Sequence, residues 1–369
     1  MPQHFRSVAV IAALAAAGTL AACSSSPQSS SPTGTGSTTA STTSAAAAAV
    51  VEPLVLYAAE GYDSVMAKAF TAKTGIPVKL DDDSTGPLLT KVTAEKNNPQ
   101  WSLLWVDGDT AFASLDQQGL LAPYKSATAS LNAEGLALQP ADNAYTPTGT
   151  TVMAALIYNA AKTTAVPATY QDLDGAAYTG KVGMNDPSQS GPTFPFIAGV
   201  MNQLGGESNG VAAGEALFSK LKANGLHVYP TNGDTLHALE TGQIDYGLIQ
   251  SSAAIGEVLK TKATANFQPK IVYLPKSTLL PGVIGIDKGA DATVQAEAQK
   301  FIDYVLSPEG QAVMQTGDPT GDSLFWPVVN GVTALTGVPA FPNAFQTLDP
   351  AFWGPLEGQI NSWFDSNIK

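Results

Sequence analysis

Short apolar runs alternate with helix patterns along this chain, and this alternation limits the possible fold more than any other feature. The run "LVLY" predicts a buried strand, and the segment after it places Val65, Met66, Ala69 and Phe70 on one helical face ending at Gly75. The runs "IPVKL" and "WSLLWVDGD" repeat the strand pattern, and a predicted helix follows each. Such alternation predicts a parallel or mixed α/β sheet.

The same alternation returns in the second half of the chain. The runs "KVGMN", "LHVYP", "DYGLIQ" and "PKIVYLP" predict strands, with helices between them, one of which begins near Thr193. A pair of amphipathic helices breaks at Ser307-Pro308, and a last helix is expected at about 355–367. No sequence repeat relates the two halves. We therefore expect two α/β lobes of similar style.

Composition limits the class of partner. The chain has 369 residues and a net charge of −13, with 13% charged and 44% hydrophobic residues. This balance suits a compact soluble body and provides no wide basic surface, so we expect no nucleic-acid partner.

The N-terminus has the pattern of an export signal. Arg6 precedes an apolar, Ala-rich stretch that leads into Leu20-Ala21-Ala22-Cys23, which resembles a bacterial lipobox. We expect residues 1–22 to be a lipoprotein signal peptide and Cys23 to be lipidated, which would hold the protein on the outer face of the cell membrane. The alternative is an ordinary secretory signal with an incidental cysteine. Residues 23–51, rich in Ser, Thr and Ala, predict a flexible tether.

Enzyme motifs are missing from the sequence. Outside the signal, the histidines are His227 and His237, and there is no His/Cys cluster, nucleophile elbow or phosphate-binding P-loop. We therefore predict a binding protein that is not an enzyme, with no metal site and no cofactor. A hydrolase on the cell-wall side or a sensor of the same solute is the alternative class.

Hydroxyl and amide side chains gather at three predicted strand-to-helix turns, where ligands of open α/β sheets bind. Helix N-termini at such turns present free N–H groups and partial positive charge, which suit an anion. Each turn alone could be an ordinary helix cap. Together they predict a polar ligand in a cleft, bound by these residues: Ser84, Thr85, Ser188, Ser190, Gly191, Thr193, Gln250, Ser251 and Ser252.

Acids and tyrosines near strand ends add to this site. Asp107 follows a predicted strand and could bind an amine, although it could also cap a turn. Side chains alternate along a strand, so at most one of the adjacent residues 81–83 is expected to face the ligand. We add Tyr57 and Glu60 as ligand-binding candidates at the end of the first strand, with Tyr62 as a further aromatic candidate.

Several stretches together resemble the solute-binding proteins of ABC transporters. They are "LVLYAAEGYDSVMAKAFTAKTGIPVKL", "STGPLLTKVTAEKNNPQWSLLWVDGDTAFASLDQQGLLAPY", "NGDTLHALETGQIDYGLIQSSAAIGEVL" and "KFIDYVLSPEGQAVM". The chain is similar to the two-lobed family that includes binders of ferric iron, thiamine and 2-aminoethylphosphonate. The resemblance extends from about residue 53 to residue 314.

The resemblance implies a type II periplasmic binding protein, with two Rossmann-like α/β lobes joined by crossover hinge strands and the solute enclosed by hinge closure. It places the first part of lobe 1 at 52–155, lobe 2 at 156–272, the return to lobe 1 at 273–330, and a C-terminal helical segment packing on the lobes at 331–369. The crossings are expected near 151–159 and 271–286. It also implies a monomer that delivers solute to an ABC permease and its ATPase.

The resemblance also bears on the ligand. Ferric binders of this family carry an adjacent tyrosine pair where this chain has Ser251-Ser252, and this chain lacks their early histidine. Iron is therefore disfavoured, although Tyr57, Tyr62 and Tyr246 remain as unconventional phenolate donors. Hydroxyl-rich turns favour a phosphonate or phosphate ester, and an acid beside them favours an ammonium group. An aminoalkylphosphonate is the leading expectation, followed by thiamine and its phosphate esters.

Overall fold

The computed structural model describes residues 52–341 and 345–369. The predicted signal peptide, the lipidation site Cys23 and the whole predicted tether lie outside these residues. Within the described part of the chain, no helix is both long enough and apolar enough to cross a membrane.

Six strands form the first sheet. They are β1 (Leu54–Ala58), β2 (Val78–Asp82), β3 (Leu103–Asp107), β4 (Leu121–Ala122), β5 (Thr146–Met153) and β11 (Thr278–Asp287). The strand order is β2-β1-β3-β11-β4, and β5 pairs with β11. Strand β1 lies parallel to β2 and β3, whereas β11 runs antiparallel to β3, β4 and β5. The mixed sheet places the carboxyl ends of β1, β2 and β3 at one edge.

Five strands form the second sheet. They are β6 (Ala155–Asn159), β7 (Val182–Asn185), β8 (His227–Tyr229), β9 (Tyr246–Ile249) and β10 (Pro269–Val272), in the order β10-β6-β9-β7-β8. Strands β7, β8 and β9 are parallel, while β6 and β10 run antiparallel to their neighbours. The two sheets thus follow the same plan, which confirms the predicted two-lobed α/β architecture.

Helices follow the strands as the apolar periodicity predicts. In the first half they are α1 (Asp63–Thr74), α2 (Thr85–Ala94), α3 (Asp109–Gln117) and α4 (Ala133–Leu138). In the second half they are α5 (Thr193–Ala223), α6 (Asn232–Glu240), α7 (Ser251–Lys260), α8 (Ala292–Val305), α9 (Pro308–Gly317), α10 (Pro350–Trp353) and α11 (Glu357–Asn367). Helix α5 is kinked at Gly206, whose φ of 59° suits glycine.

Helices cover both faces of each sheet and bury its apolar side chains. Phe70 of α1 and Phe301 of α8 pack on one face of the first sheet, and Leu88 of α2 on the other. In the second sheet, Phe196 of α5 packs on one face and Leu239 of α6 on the other. This two-sided covering gives each lobe its own core.

The chain changes sheet twice. Strand β5 belongs to the first sheet and β6, which starts two residues after β5 ends, belongs to the second. The return runs from β10 of the second sheet to β11 of the first, so both crossings lie in the expected segments 151–159 and 271–286. Two adjacent crossover connections can act as a hinge while leaving each lobe intact.

The C-terminal segment touches both halves. Gln117 of α3 donates a hydrogen bond to the carbonyl of Ala351 at 2.9 Å. Ile360 and Phe364 of α11 lie in the core of the second lobe, where Phe364 packs edge-on against Phe218 at a centroid distance of 5.9 Å. The described part of the C-terminal segment thus contacts α3 of the first lobe and the core of the second.

Candidate functional site

A cavity of about 490 Å³ lies where the carboxyl ends of the parallel strands of both sheets face each other. From the first lobe it is lined by Ala59, Glu60, Gly61, Asp63, Ser64, Asp82, Asp83, Ser84, Thr85, Asp107 and Asp322. From the second lobe it is lined by Gln189, Ser190, Pro192, Thr231, Asn232, Gly233 and Gln250. Except for Asp322, these lining residues lie at the end of a strand or in the turn between a strand and the next helix. Ligands of open α/β sheets bind in this position.

Half of the predicted ligand-binding residues line this cavity. They are Glu60, Ser84, Thr85, Asp107, Ser190 and Gln250. The other six, which do not line it, are Tyr57, Ser188, Gly191, Thr193, Ser251 and Ser252.

The six others have different surroundings. The Tyr57 hydroxyl donates to Glu95 at 3.1 Å, and its ring lies in the core of the first lobe. The Ser251 hydroxyl accepts a hydrogen bond from the Val152 N–H at 3.0 Å, which ties α7 to the crossover strand. Thr193 is fully buried at the start of α5.

Ser188 and Gly191 lie where the lobes touch. A methyl group on Gly191 would come within 2.4 Å of Thr85 Cγ2, and one on Gly86 would come within 2.3 Å of the Ser188 carbonyl oxygen. The two turns that sequence reasoning assigned to the ligand therefore pack partly against each other. Close backbone approach needs glycine at both positions.

Two side-chain hydrogen bonds cross the cleft beside the cavity. Gln250 Nε2 donates to Asp107 Oδ2 at 2.7 Å, and Ser252 Oγ donates to Asp322 Oδ1 at 3.4 Å. Together with the glycine contacts, these bonds show that the lobes are in a closed arrangement.

Sequence reasoning missed Asp322, Asp63 and the turn 231–233. The turn could have been found, because it follows strand β8 and carries a capping box between Thr231 and Asp234. Asp322 has no such signal. Asp322 follows α9, late in the chain. Its Oδ2 accepts a hydrogen bond of 2.8 Å from the N–H of Gly61, which lies 261 residues earlier.

The cavity is strongly acidic. Six carboxyl groups line it, and no lysine, arginine or histidine does. Glu60 and Asp63 are 3% and 2% exposed, and Glu60 Oε1 and Asp63 Oδ2 have no hydrogen-bond partner among the described residues. Buried carboxylates without donors are costly unless a positive group pairs with them.

Burial shifts the titration of these acids. Burial, and then the charges of Asp107 and Asp322, raise the pKa of Glu60 well above its ordinary value. Burial and the charge of Asp82 raise the pKa of Asp63 to about 7, and burial and the charge of Asp322 raise the pKa of Asp107 to about 8. Burial also raises the pKa of Asp322. Each shift marks a carboxyl group that would gain from a nearby cation.

Helix N-termini supply the opposite polarity. Helices α2, α6 and α7 begin at the cavity, directly after Ser84, Thr231 and Gln250. Their first N–H groups have no partner within the helix, and they carry partial positive charge. The cavity therefore combines carboxylate acceptors with backbone donors, an arrangement suited to a molecule with both a positive and a negative end.

Tyrosines and metal-binding clusters are not part of the lining. Tyr246 donates to the Ala165 carbonyl at 2.7 Å inside the second lobe. Burial raises the pKa of Tyr62 well above its ordinary value, which disfavours a phenolate. Among residues 52–341 and 345–369, no group of three or more His, Cys, Asp or Glu side chains is placed to hold a metal ion.

The raised pKa values predict that the ligand-free protein is more stable in mild acid. A carboxyl group with a pKa of about 4 in the unfolded chain and about 7–8 in the folded chain binds more protons when folded, so stability falls as pH rises across that interval. Melting temperatures from pH 5.5 to 8.5 should decrease steadily. The double variant Asp63→Asn/Asp107→Asn should flatten the slope, and a profile that rises with pH would contradict this account.

Known proteins are similar to this chain in sequence and in fold. The model of the bacterial extracellular solute-binding protein family matches residues 65–344. A Salmonella typhimurium protein, provisionally named as a 2-aminoethylphosphonate-binding periplasmic protein, is 26% identical over 248 residues, covering 67% of this chain and 69% of the relative. A Serratia marcescens Fe(3+)-binding periplasmic protein is 25% identical over 279 residues, covering 72% of this chain and 77% of the relative.

A solved structure supports the fold. The periplasmic binding protein AfuA from Actinobacillus pleuropneumoniae, with fructose-6-phosphate bound, is 20% identical with a TM-score of 0.71, covering 86% of this chain and 98% of AfuA. The likeness confirms the type II periplasmic binding protein fold. Since the family model matches about three quarters of the sequence, the chain belongs to the bacterial extracellular solute-binding proteins, which are the substrate-binding components of ABC importers rather than enzymes.

Proposed function

We propose that this protein captures an aminoalkylphosphonate, or a closely related amine-bearing phosphate ester, and delivers it to an ABC permease and its ATPase. The observation that carries the proposal is the lining of the cleft, which joins six carboxyl groups to helix N-termini from both lobes, with no basic and no aromatic side chain. A small zwitterion matches both halves of this lining.

The ammonium end of the solute lies against the carboxyl groups of the first lobe. Glu60 and Asp107 line the same wall of the cavity as Asp322, and they come from three separate segments of the chain. A charge-assisted hydrogen bond to a carboxylate is about twice as strong as a neutral one. An ammonium group would also offset the mutual repulsion that raises the pKa of Glu60.

The phosphonate end lies against the helix N-termini. The first turn of α2 from the first lobe and that of α6 from the second face the cavity, with the Ser84 and Thr85 hydroxyl groups beside α2. At α6 the Thr231 hydroxyl is already bonded to Asp234 in the capping box, which leaves the N–H groups of residues 232 and 233 for the solute. Free N–H groups at a helix start bind phosphate-like oxygens without any basic side chain. Because the donors come from both lobes, the anionic end would stabilise closure. The Salmonella relative named for 2-aminoethylphosphonate adds support.

Ferric iron and thiamine suit the lining less well. The Serratia relative is named for Fe(3+), and carboxylates are hard oxygen ligands, but no tyrosine lines this cavity to supply a phenolate. Thiamine has two rings, and no aromatic side chain lines the cavity to stack on them.

Isothermal titration calorimetry tests the proposal with a panel of single compounds. We expect 2-aminoethylphosphonate to bind. We expect ethylphosphonate, which lacks the ammonium group, and putrescine, which has an ammonium group at each end and no phosphonate, to bind about 100-fold more weakly or worse. Equal binding of ethylphosphonate would remove the ammonium half of the proposal. Binding of putrescine alone would point to a polyamine, and binding of ferric citrate or thiamine alone would overturn the assignment.

We also propose that Cys23 is lipidated after removal of residues 1–22 and that residues 23–51 tether the monomeric binding body at the membrane surface. The support is the lipobox-like sequence Leu20-Ala21-Ala22-Cys23. Metabolic labelling with a palmitate analogue should mark the wild-type protein, while Cys23→Ser should lose the label and appear in the soluble fraction. Unchanged membrane retention of Cys23→Ser would contradict the anchor.

A further inference from the structure

Three oxygen atoms from separate segments converge over Gly282 in strand β11. A methyl group on Gly282 would lie 3.0 Å from Thr148 Oγ1, 3.4 Å from Asp107 Oδ1 and 3.7 Å from Glu60 Oε1. Gly282 of β11 lies directly opposite Asp107 of β3 in the antiparallel pair. The backbone of β11 therefore passes close to the Asp107 carboxyl group. Glu60 and Asp107 line the cavity, whereas Thr148 and Gly282 lie behind that lining. We call this polar cluster of Glu60, Asp107, Thr148 and Gly282 the recess.

The recess has unused acceptors. Glu60 is 3% exposed and its Oε1 has no partner among the described residues. Asp107 Oδ2 accepts a hydrogen bond from the Gln250 side-chain amide. The other oxygen of this carboxyl group, Oδ1, lies near Gly282. Thr148 is fully buried, and its oxygen accepts the Trp105 indole N–H at 3.1 Å. Two carboxylate oxygens and a hydroxyl group thus lie around Gly282, and within the described residues Glu60 Oε1 accepts no hydrogen bond.

We propose that this recess selects a primary ammonium group and that Gly282 sets its size. The inference rests on the proposed function and specifies one end of the solute. A primary ammonium group has three N–H donors to share between Glu60 Oε1 and Asp107 Oδ1. Each N-methyl group removes a donor and adds the bulk of a methyl group, and a trimethylammonium group has no donor at all. A side chain at Gly282 would meet the oxygens of Thr148, Asp107 and Glu60, so only glycine leaves these oxygens in place for a small head group.

Calorimetry with a methylation series tests the recess. The probes are 2-aminoethylphosphonate, its N-methyl derivative and its N,N,N-trimethyl derivative. For the wild-type protein we expect the affinity to fall about 10-fold on the first methylation and about 100-fold or more for the trimethyl compound. Equal affinity for the primary and trimethyl compounds would overturn the inference while leaving the proposed function intact. If no amine-bearing phosphonate binds, both fail.

A matched pair of glycine variants locates the effect. Gly282→Ala places a methyl group in the recess without changing any charge, and we expect it to weaken 2-aminoethylphosphonate about 10-fold or more. Gly285→Ala, on the same strand, is the control, because its added methyl group would lie at a similar 3.0 Å from Phe112 Cε1 but away from the cleft. Its affinity for 2-aminoethylphosphonate should match that of the wild type. Circular dichroism and melting curves establish that both variants fold. If folded Gly282→Ala binds as tightly as the wild type, Gly282 does not have the proposed role. If Gly282→Ala does not fold, the methylation series with the wild-type protein tests the selection of a primary ammonium group.

Discussion

Replacing Glu60 with glutamine is expected to make the ligand-free protein more stable and to weaken an amine-bearing solute by about 100-fold. The carboxyl group is 3% exposed, one of its oxygens has no partner among the described residues, and it lies near Asp107 and Asp322, whose charges raise its pKa. Glutamine keeps the shape and removes the charge. Losing a charged hydrogen bond of about 1.5–3 kcal/mol to an ammonium group corresponds to a fall of about 10- to 150-fold in affinity.

The stability gain should be visible at pH 8, because Glu60 ionises freely in the unfolded chain there, whereas burial and its acidic neighbours oppose its ionisation in the folded chain, where its pKa is raised. Removing this penalty is expected to raise the melting temperature by about 2–6 °C, on the scale of 1–2 kcal/mol. Glu207→Gln, at an exposed position in α5, serves as the matched control and should change neither the melting temperature nor the affinity for 2-aminoethylphosphonate. A Glu60→Gln protein that melts lower, or that binds 2-aminoethylphosphonate as tightly as the wild type, would exclude Glu60 as the partner of the ammonium group.

Adding a single methyl group at Gly86 is expected to weaken the solute at least 10-fold by opposing lobe closure. The methyl group of Gly86→Ala would lie 2.3 Å from the carbonyl oxygen of Ser188 in the other lobe and 2.9 Å from its carbon. Both atoms belong to the backbone, so the lobes must move apart by a fraction of an ångström or more. A solute that binds across the cleft loses affinity by as much as the closed state is disfavoured.

Stability separates this effect from misfolding. Gly86 lies in the first turn of α2, where alanine favours the helix by up to about 1 kcal/mol, so the ligand-free variant should melt no lower than the wild type. Gly358→Ala in α11, where nothing lies within 4 Å of the added methyl group, is the control and should keep full affinity. Small-angle scattering should show a smaller ligand-induced compaction for Gly86→Ala. Full affinity in that variant would mean that this contact is not part of the ligand-bound state.

The architecture was predictable because strand and helix periodicity reports directly on burial. The run "LVLY" and the helix after it appear in the structure as β1 and α1, with Met66 and Phe70 buried as predicted. Val65, which was assigned to the same helical face, is exposed. The crossovers were also located correctly. Their position came from resemblance to a family, since no local pattern tells that β6 leaves the sheet of β5.

Only half of the predicted ligand-binding residues line the cavity, for two physical reasons. Small residues occur both where a ligand approaches and where two lobes touch, so the sequence could not separate Ser190, which lines the cavity, from Gly191, which packs on Thr85. In addition, a carboxyl group can reach the cleft from a distant segment. Asp322 follows α9 and is fixed by the Gly61 N–H, and nothing in its local sequence shows this.

The balance of charge in the cleft was also underestimated. Alternation predicted that at most one of residues 81–83 faces the ligand, but two of them line the cavity, because β2 ends at Asp82 and strand alternation does not extend to Asp83. In the structure Asp82 and Asp83 line the cavity while Asp81 pairs with Lys91 on the side. With Asp63 and Asp322 added, the acidic side of the site is larger than the sequence indicated, which gives the ammonium end of the solute more weight.

A crystal structure of the protein with 2-aminoethylphosphonate tests the central claim most directly. The account predicts a closed form with the amine nitrogen within about 3.2 Å of Glu60 or Asp107 oxygens and the phosphonate at the N-termini of α2 and α6. A phosphonate pointing toward Glu60, or a solute bound outside the cleft between the two sheets, would contradict it.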